Sequence, residues 1–302
     1  MNFEARCSTF EHRTSNIEQL SPAALQRIIQ AALEEDGARR DVTTQALVPP
    51  DQRGAGTIVA KSEGVVCGLP VAAAAFAALD AQVRFDALAP EGAAVSAGDA
   101  LARVEGPLAP ILSGERVAVN FLQRLSGVAT ATRKLVDAVA GLDVRIVDTR
   151  KTTPGLRALE RYAVRVGGGH NHRFNLSDGV LIKDNHLAAA RAHGLSIAQV
   201  IEHTRRVTPH TMRIEIEVTT VEEAREALDA GADVLLLDNM PLGAMRQAVE
   251  LAKGRALIEA SGGVTLATVR AIAETGVDII SVGAITHSAQ ALDMSLELMA
   301  EG

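Results

Sequence analysis

Two hydrophobic periods divide the chain. From Ser21 onward, Leu25, Ile28, Ile29 and Leu33 recur at the three-to-four spacing of a helical face; Ser21 stands at the cap position, Pro22 at the first helical position, and Gly37 ends the pattern. An amphipathic helix is predicted between them, and residues 1–17, which show no period, are expected to form a flexible arm. From about residue 55 to 105 the period falls to two, which predicts strands over Gly56–Ser62, Gln82–Leu88 and Ala100–Glu105, with an Ala-rich helix over 70–79. This stretch reads as a compact α+β unit. Its segment EGAAVSAGDALARVEG is similar to the hairpins of lipoyl carriers, but no lysine occupies the turn, so ordinary hairpin punctuation is the reading adopted.

The second half repeats one unit. VRIVDTRK from 144, GVLIKDNH from 179, MRIEIEVTT from 212, DVLLLDNM from 233, ALIEASGG from 256 and DIISVGAI from 278 are short apolar runs, each followed by a turn and a helical pattern. Six strands alternating with helices predict a parallel sheet and an α/β barrel rather than two Rossmann halves, and no GxGxxG fingerprint is present. The strands end on Asp148, Arg150 and Lys151; Lys183 and Asp184; Glu217; Asp238; Glu259 and Ser261; and Gly283. One polar residue at a strand end is usually a helix cap. Six consecutive ends bearing such groups describe the carboxyl mouth of a barrel, where active sites assemble.

Composition narrows the function. The 302 residues allow one large domain or two ordinary ones, and 47% hydrophobic with 22% charged residues is the balance of a globular protein. Aromatics are only 2%, with no Trp and the single Tyr162, and the net charge is −7; stacking platforms and a basic footprint are both lacking, which argues against nucleic acid. Cys7 and Cys67 fit no zinc or CxxC spacing and read as reduced thiols. The N-terminus has no apolar leader, and the longest apolar run, Val71 to Leu79, is too short for a bilayer, so a soluble cytoplasmic protein without membrane contact is expected.

Charge is segregated along the chain. Between Arg145 and Asp184 eight Lys or Arg face four acids, a local +4 that leaves −11 elsewhere. Arg161 and Arg165 fit a solvated helix stripe; Arg150, Lys151 and Lys183 at strand ends do not, because a cation among apolar strand residues needs a partner. His170, His172 and Arg173 follow Gly167-Gly168-Gly169 and are expected on a loop over the mouth. Such a set points to a ligand with carboxylates and phosphates. The turns SGGV at 261–264 and VGAITHS at 282–288 follow the last two strands, where glycine N–H groups and helix starts suit a phosphate; tight turns that bind nothing are the alternative. Glu217 and Asp238 close neighbouring strands and suit Mg²⁺ or ribose hydroxyls, against the plainer reading of a structural pairing with a lysine.

The strings ERVAVNFLQRLSGVAT (115–130), DTRKTTPGLR (148–157), GGGHNHRFNLSDGVLIKDNH (167–186), IEIEV (214–218), LLLDNM (235–240), EASGGV (259–264) and GVDIISVGAITHS (276–288) together resemble the quinolinate phosphoribosyltransferase family, also called carboxylating nicotinate-nucleotide pyrophosphorylase. EEDGARRDVTT (34–44) resembles that family's acidic DVTT segment. The resemblance implies a type II phosphoribosyltransferase fold: an N-terminal α/β sandwich over 18–127 joined by a C-terminal helix within 289–302, and an incomplete α/β barrel over 128–288. It implies the reaction of quinolinate with phosphoribosyl pyrophosphate (PRPP) to nicotinate mononucleotide, pyrophosphate and CO₂, with Mg²⁺ and no organic cofactor, in de novo NAD synthesis. It also implies a homodimer with shared active sites. Residues implied for quinolinate are Arg150, His172, Arg173 and Lys183, with Arg116 from the partner subunit. Those implied for PRPP are Lys151, Glu217 and Asp238, the latter two also for Mg²⁺, with Ser261, Gly262, Gly263, Gly283 and His287 at the phosphate end. Lys151, Lys183, Glu217 and Asp238 are the expected catalytic set.

Other classes fit less well. As an HNH nuclease, His170-Asn171-His172 lacks the dispersed spacing of that motif. As the HxH of a metal-dependent barrel hydrolase completed by Lys183 and Asp238, it places Arg173 against the dication and follows glycines rather than a strand. A non-catalytic nucleotide-binding protein, and a related phosphoribosyltransferase with a different acceptor such as a molybdenum-operon paralogue, complete the alternatives.

Overall fold

The computed structural model describes residues 21–299, so Cys7 and the whole of the expected arm, residues 1–17, lie outside the described residues. The chain divides into two compact units; the first comprises residues up to 129 with 158–166 and the segment from 291, and the second comprises 130–157 and 167–290.

In the first unit, α1 (Pro22–Glu35) buries Ile29 and Leu33, as its period predicts, with Pro22 in the first turn. Ser21 makes no side-chain cap hydrogen bond. A short α2 (Val42–Leu47) is capped instead by Asp41, whose carboxylate accepts from the N–H groups of Thr43 and Thr44. The strands are β1 (Arg53–Ala60), β2 (Gly64–Val65), β3 (Arg84–Ala87), β4 (Ala94–Val95) and β5 (Ala100–Pro107), with α3 (Leu69–Leu79) between β2 and β3. The long α4 (Leu108–Ala138) follows β5 directly and carries the chain into the second unit, and α5 (Arg157–Val166) returns to the first.

The second unit holds β6 (Arg145–Val147), β7 (Val180–Ile182), β8 (Ile214–Val218), β9 (Val234–Asp238), β10 (Leu257–Ser261) and β11 (Ile279–Ser281), with α6 (Asp184–Arg191), α7 (Ile197–Val207), α8 (Val221–Asp229), α9 (Leu242–Ala252), α10 (Val269–Ala273) and α11 (Ala284–His287) in the connections. Every ladder is parallel and the order is β6-β11-β10-β9-β8-β7. The edge strands β6 and β7 share no ladder among the described residues. Segment 167–179 lies between them in sequence and makes a single parallel bridge from His170 to Val147. This is an incomplete barrel, as expected.

Three expectations are corrected. The C-terminal segment is a strand, not a helix: β12 (Met294–Met299) pairs antiparallel with β1, from Ala55 opposite Met299 to Ala60 opposite Met294, giving the sheet order β12-β1-β5-β3. The cause is in MSLELM itself, whose Met-x-Leu-x-Leu alternation has period two. Residues 158–166 cluster with the first unit rather than with the barrel, because Glu160 pairs with Arg124 at 2.6 Å and Tyr162 donates to Glu91 at 2.7 Å. On the same helix Arg161 is buried at 9% exposure and is no solvated stripe.

Candidate active site

The site is built on the carboxyl ends of the barrel strands. Beyond β6, Asp148 is fully buried and its carboxylate accepts from the His172 N–H at 2.8 Å and from Asn171 Nδ2 at 2.6 Å. The end of β6 thereby fastens the segment that fills the gap in the sheet. Arg157 braces the same loop, donating from Nε to Thr152 Oγ1 at 3.0 Å and from Nη1 to the Phe174 carbonyl at 3.2 Å. Thr286 on α11 donates to the Lys151 carbonyl at 2.8 Å. Arg150 and Lys151 thus sit on a loop tied at three points.

Ten of the expected residues meet at one cavity of about 590 Å³: Arg150, Lys151, His172, Arg173, Lys183, Glu217, Asp238, Ser261, Gly262 and Gly263. Lys183 Nζ donates to Glu217 Oε2 at 3.0 Å, so the pairing weighed as the plainer reading of Glu217 is present, inside the cavity. Asp238 Oδ2 accepts from Asn239 Nδ2 at 2.9 Å. Asn239 takes the left-handed conformation at φ 53, and its side chain lies where a Cβ on Gly262, itself at φ 90, would stand; only glycine fits there. Arg173 donates from Nη1 to the Gly179 carbonyl at 2.8 Å. Its burial, and then the like charge of Arg150, lower its pKa; the opposite charge of an incoming carboxylate would offset both.

Three expected residues do not line the cavity. A Cβ on Gly283 would stand 2.9 Å from Lys151 Cδ, so that glycine makes room for the lysine stem. His287 packs beside Gly283 and its Nδ1 meets Ser288 Oγ at 2.6 Å. Arg116 lies on α4 in the first unit, with its side chain 59% exposed and 3.6 Å from Glu115.

Below the mouth is a cluster of three. His172 Nε2 stands 3.3 Å from Glu215 Oε2 on β8 and 3.3 Å from Glu259 Oε2 on β10. Burial disfavours a charged ring, but the hydrogen bonds to Glu215 and Glu259 outweigh it and push His172 up to about 10. Against a second ring proton stands the Arg173 N–H, aimed at Nδ1 from 2.7 Å. The raised value means that His172, Glu215 and Glu259 together keep one proton more at neutral pH than a neutral ring and two carboxylates would. Glu215 is raised in keeping with this, by burial first and by the adjacent Glu259 charge, although its hydrogen bond to His172 pulls it down.

The sequence profile of the quinolinate phosphoribosyl transferase C-terminal domain matches residues 128–297, and that of the N-terminal domain matches residues 41–126. The chain belongs to the quinolinate phosphoribosyltransferase family. A probable carboxylating nicotinate-nucleotide pyrophosphorylase of Bacillus subtilis is 43% identical over 91% of this chain and 93% of its own length, and one of Synechocystis is 46% identical over 90% and 91%. Among solved structures, a NadC deletion mutant superposes with a TM-score of 0.89 at 39% identity over 94% of this chain and 99% of its own, and NadC from Streptococcus pyogenes with 0.88 at 40% over 93% and 98%.

Within this family member, Glu215 and Asn239 are site residues that sequence reasoning passed over. Glu215 sits inside IEIEV, which reads as alternation with one wet face, yet all five residues of β8 are buried. Glu259 stands near the end of β10 with no task legible from its spacing, and nothing in the sequence marks the positive φ of Asn239.

Proposed function

We propose that this family member transfers the phosphoribosyl group of PRPP to the pyridine nitrogen of quinolinate, releasing pyrophosphate and CO₂ and leaving nicotinate mononucleotide. The observation that carries the reading is one cavity holding Arg150, Lys151, Arg173 and Lys183 together with Glu217 and Asp238. Four cations suit two polyanionic substrates, and the two acids suit the cationic ribose carbon between them.

Arg150 and Arg173 receive the quinolinate carboxylates, as forked guanidiniums do. Ser261, Gly262 and Gly263 offer a small-residue turn to the 5′-phosphate. As pyrophosphate leaves, Lys151 balances its charge while Glu217 and Asp238 stabilise the positive character at ribose C1. The nitrogen then bonds to C1. The quaternised ring releases its 2-carboxylate as CO₂, and the Lys183 ammonium steadies the carbanion until C2 is protonated. Glu217 and Asp238 also fit Mg²⁺, since both are hard oxygen donors and the ion takes one or two carboxylates and fills its shell with water and substrate oxygens. When bound, the ion would supply charge neutralisation to the pyrophosphate.

A homodimer in which Arg116 reaches the partner's cavity is part of this reading, supported by the exposure of Arg116. Cytoplasmic location is likewise part of it; among the described residues no helix is long and apolar enough to cross a membrane. The residue test is Arg173→Ala. Losing a charge-assisted contact should raise the KM for quinolinate by about 10-fold to 100-fold and leave that for PRPP nearly unchanged. Equal effects on both substrates would remove Arg173 from the quinolinate site.

A further inference from the structure

Among the described residues, Asn239 alone takes a positive φ without being glycine, and it stands directly after β9 on the wall of the cavity. A turn that needed only a left-handed backbone would be met at lower cost by glycine, so the side chain has work of its own. Its surroundings show what that work is. The Asn239 N–H donates to the Ser261 carbonyl at 2.9 Å, carrying the β9–β10 ladder one step past Asp238, and its Nδ2 donates to Asp238 Oδ2 at 2.9 Å. The carboxamide also occupies the place of a Cβ on Gly262, whereas a Cβ on Gly263 would clear Asn239 Oδ1 by 3.7 Å. One side chain therefore lies against both the Asp238 carboxylate and the turn after β10.

The two acids of the cavity are held in different ways. Glu217 gives Oε2 to the Lys183 ammonium, a cation, while Asp238 gives Oδ2 to a neutral amide. Among the described residues no donor meets Asp238 Oδ1. A carboxylate oriented by an amide is fixed in place without a countercharge, so its charge stays available to a ribose hydroxyl or to positive character at C1.

We propose that Asn239 is a positioning residue for the phosphoribosyl half of the reaction. It sets the Asp238 carboxylate for the ribose and, by lying against Gly262, holds the turn 261–263 in the conformation that meets the 5′-phosphate. The proposal rests on the PRPP reading above and is independent of which acceptor the cavity takes.

Steady-state kinetics of Asn239→Gly and Asn239→Asp provide one test. Glycine keeps the backbone conformation and drops the side chain; aspartate keeps its size and its tolerance of the left-handed region but has no donor at neutral pH. Both variants should raise the PRPP KM about threefold to tenfold, the scale of one hydrogen bond, and leave the quinolinate KM unchanged. A purely structural role would lower the active fraction without separating the two substrates. An unchanged PRPP KM in Asn239→Gly, equal shifts in both KM values, or an Asn239→Asp variant that behaves as wild type would overturn the proposal. A second measurement needs no substrate: urea unfolding of Gly262→Ala, Asn239→Gly and the double variant. Gly262→Ala should lower the midpoint less in the Asn239→Gly background than in wild type, because the carboxamide that collides with the new Cβ is gone and only the strain of the positive φ remains. Equal drops would overturn the proposal. A wild-type protein that does not turn over PRPP would remove the substrate reading instead, and the urea series would still decide whether Asn239 holds the turn.

Discussion

Asp41 gathers four donors on one side chain: the N–H groups of Thr43 and Thr44, Thr44 Oγ1 at 2.5 Å and Ser113 Oγ at 3.0 Å. The Thr44 hydroxyl and N–H contribute most to holding its carboxyl below the ordinary value of 3.8; burial opposes them, and Ser113 and the Thr43 N–H add to the lowering. Asp41→Ala should cost about 0.5–2 kcal/mol, the range for a lost helix cap, towards the low end because solvent screens the site. A folded pKa below the unfolded one means the anion's contribution is complete above about pH 4 and disappears as pH falls through the folded value. Urea unfolding of both proteins should therefore show a stability gap at pH 7 that narrows towards pH 3; a constant gap would show that the charge is irrelevant to the cap. Most single residues of the site were readable from the sequence because strand ends place ionisable groups where an apolar run stops. Glu215 and Asn239 were not, since burial of both faces of β8 and a left-handed backbone at Asn239 are properties of packing, not of local pattern.

At the scale of elements, α1 and the barrel strands follow their periods because each has one well-defined buried set. The segment MSLELM is too short for its period to compete with a family-derived expectation of helix, and the partner that makes it a strand, β1, lies more than 230 positions earlier. Gly56 on β1 shows the fit: a Cβ there would stand 3.0 Å from Leu296 Cδ1 and 3.1 Å from the Glu297 carbonyl. Gly56→Val should destabilise the fold by about 1–3 kcal/mol through overpacking, with amide-exchange protection lost first along Met294–Met299. Unchanged stability and protection would mean that β12 does not pack there. The same limit applies to α5: spacing of four among Arg157, Arg161 and Arg165 describes a stripe, but only the pairing of Glu160 and Tyr162 within the first unit shows which side of the helix is covered.

For the whole molecule, a net charge of −7 is an average over two different regions. The local excess of cations between Arg145 and Asp184 returns in space as four cations on one cavity, while the acidic remainder is spread through the rest of the chain. A parallel sheet open between β6 and β7 explains how: the segment carrying His172 and Arg173 follows no strand of its own, and it is pinned to the end of β6 by Asp148. That arrangement should bind small polyanions at a single place. The most direct test incubates the purified protein with Mg²⁺ and PRPP and either quinolinate or nicotinate, measuring CO₂ and pyrophosphate together. Equimolar release of both with quinolinate and of neither with nicotinate is the predicted result. Pyrophosphate release with nicotinate, or none with quinolinate, would contradict it.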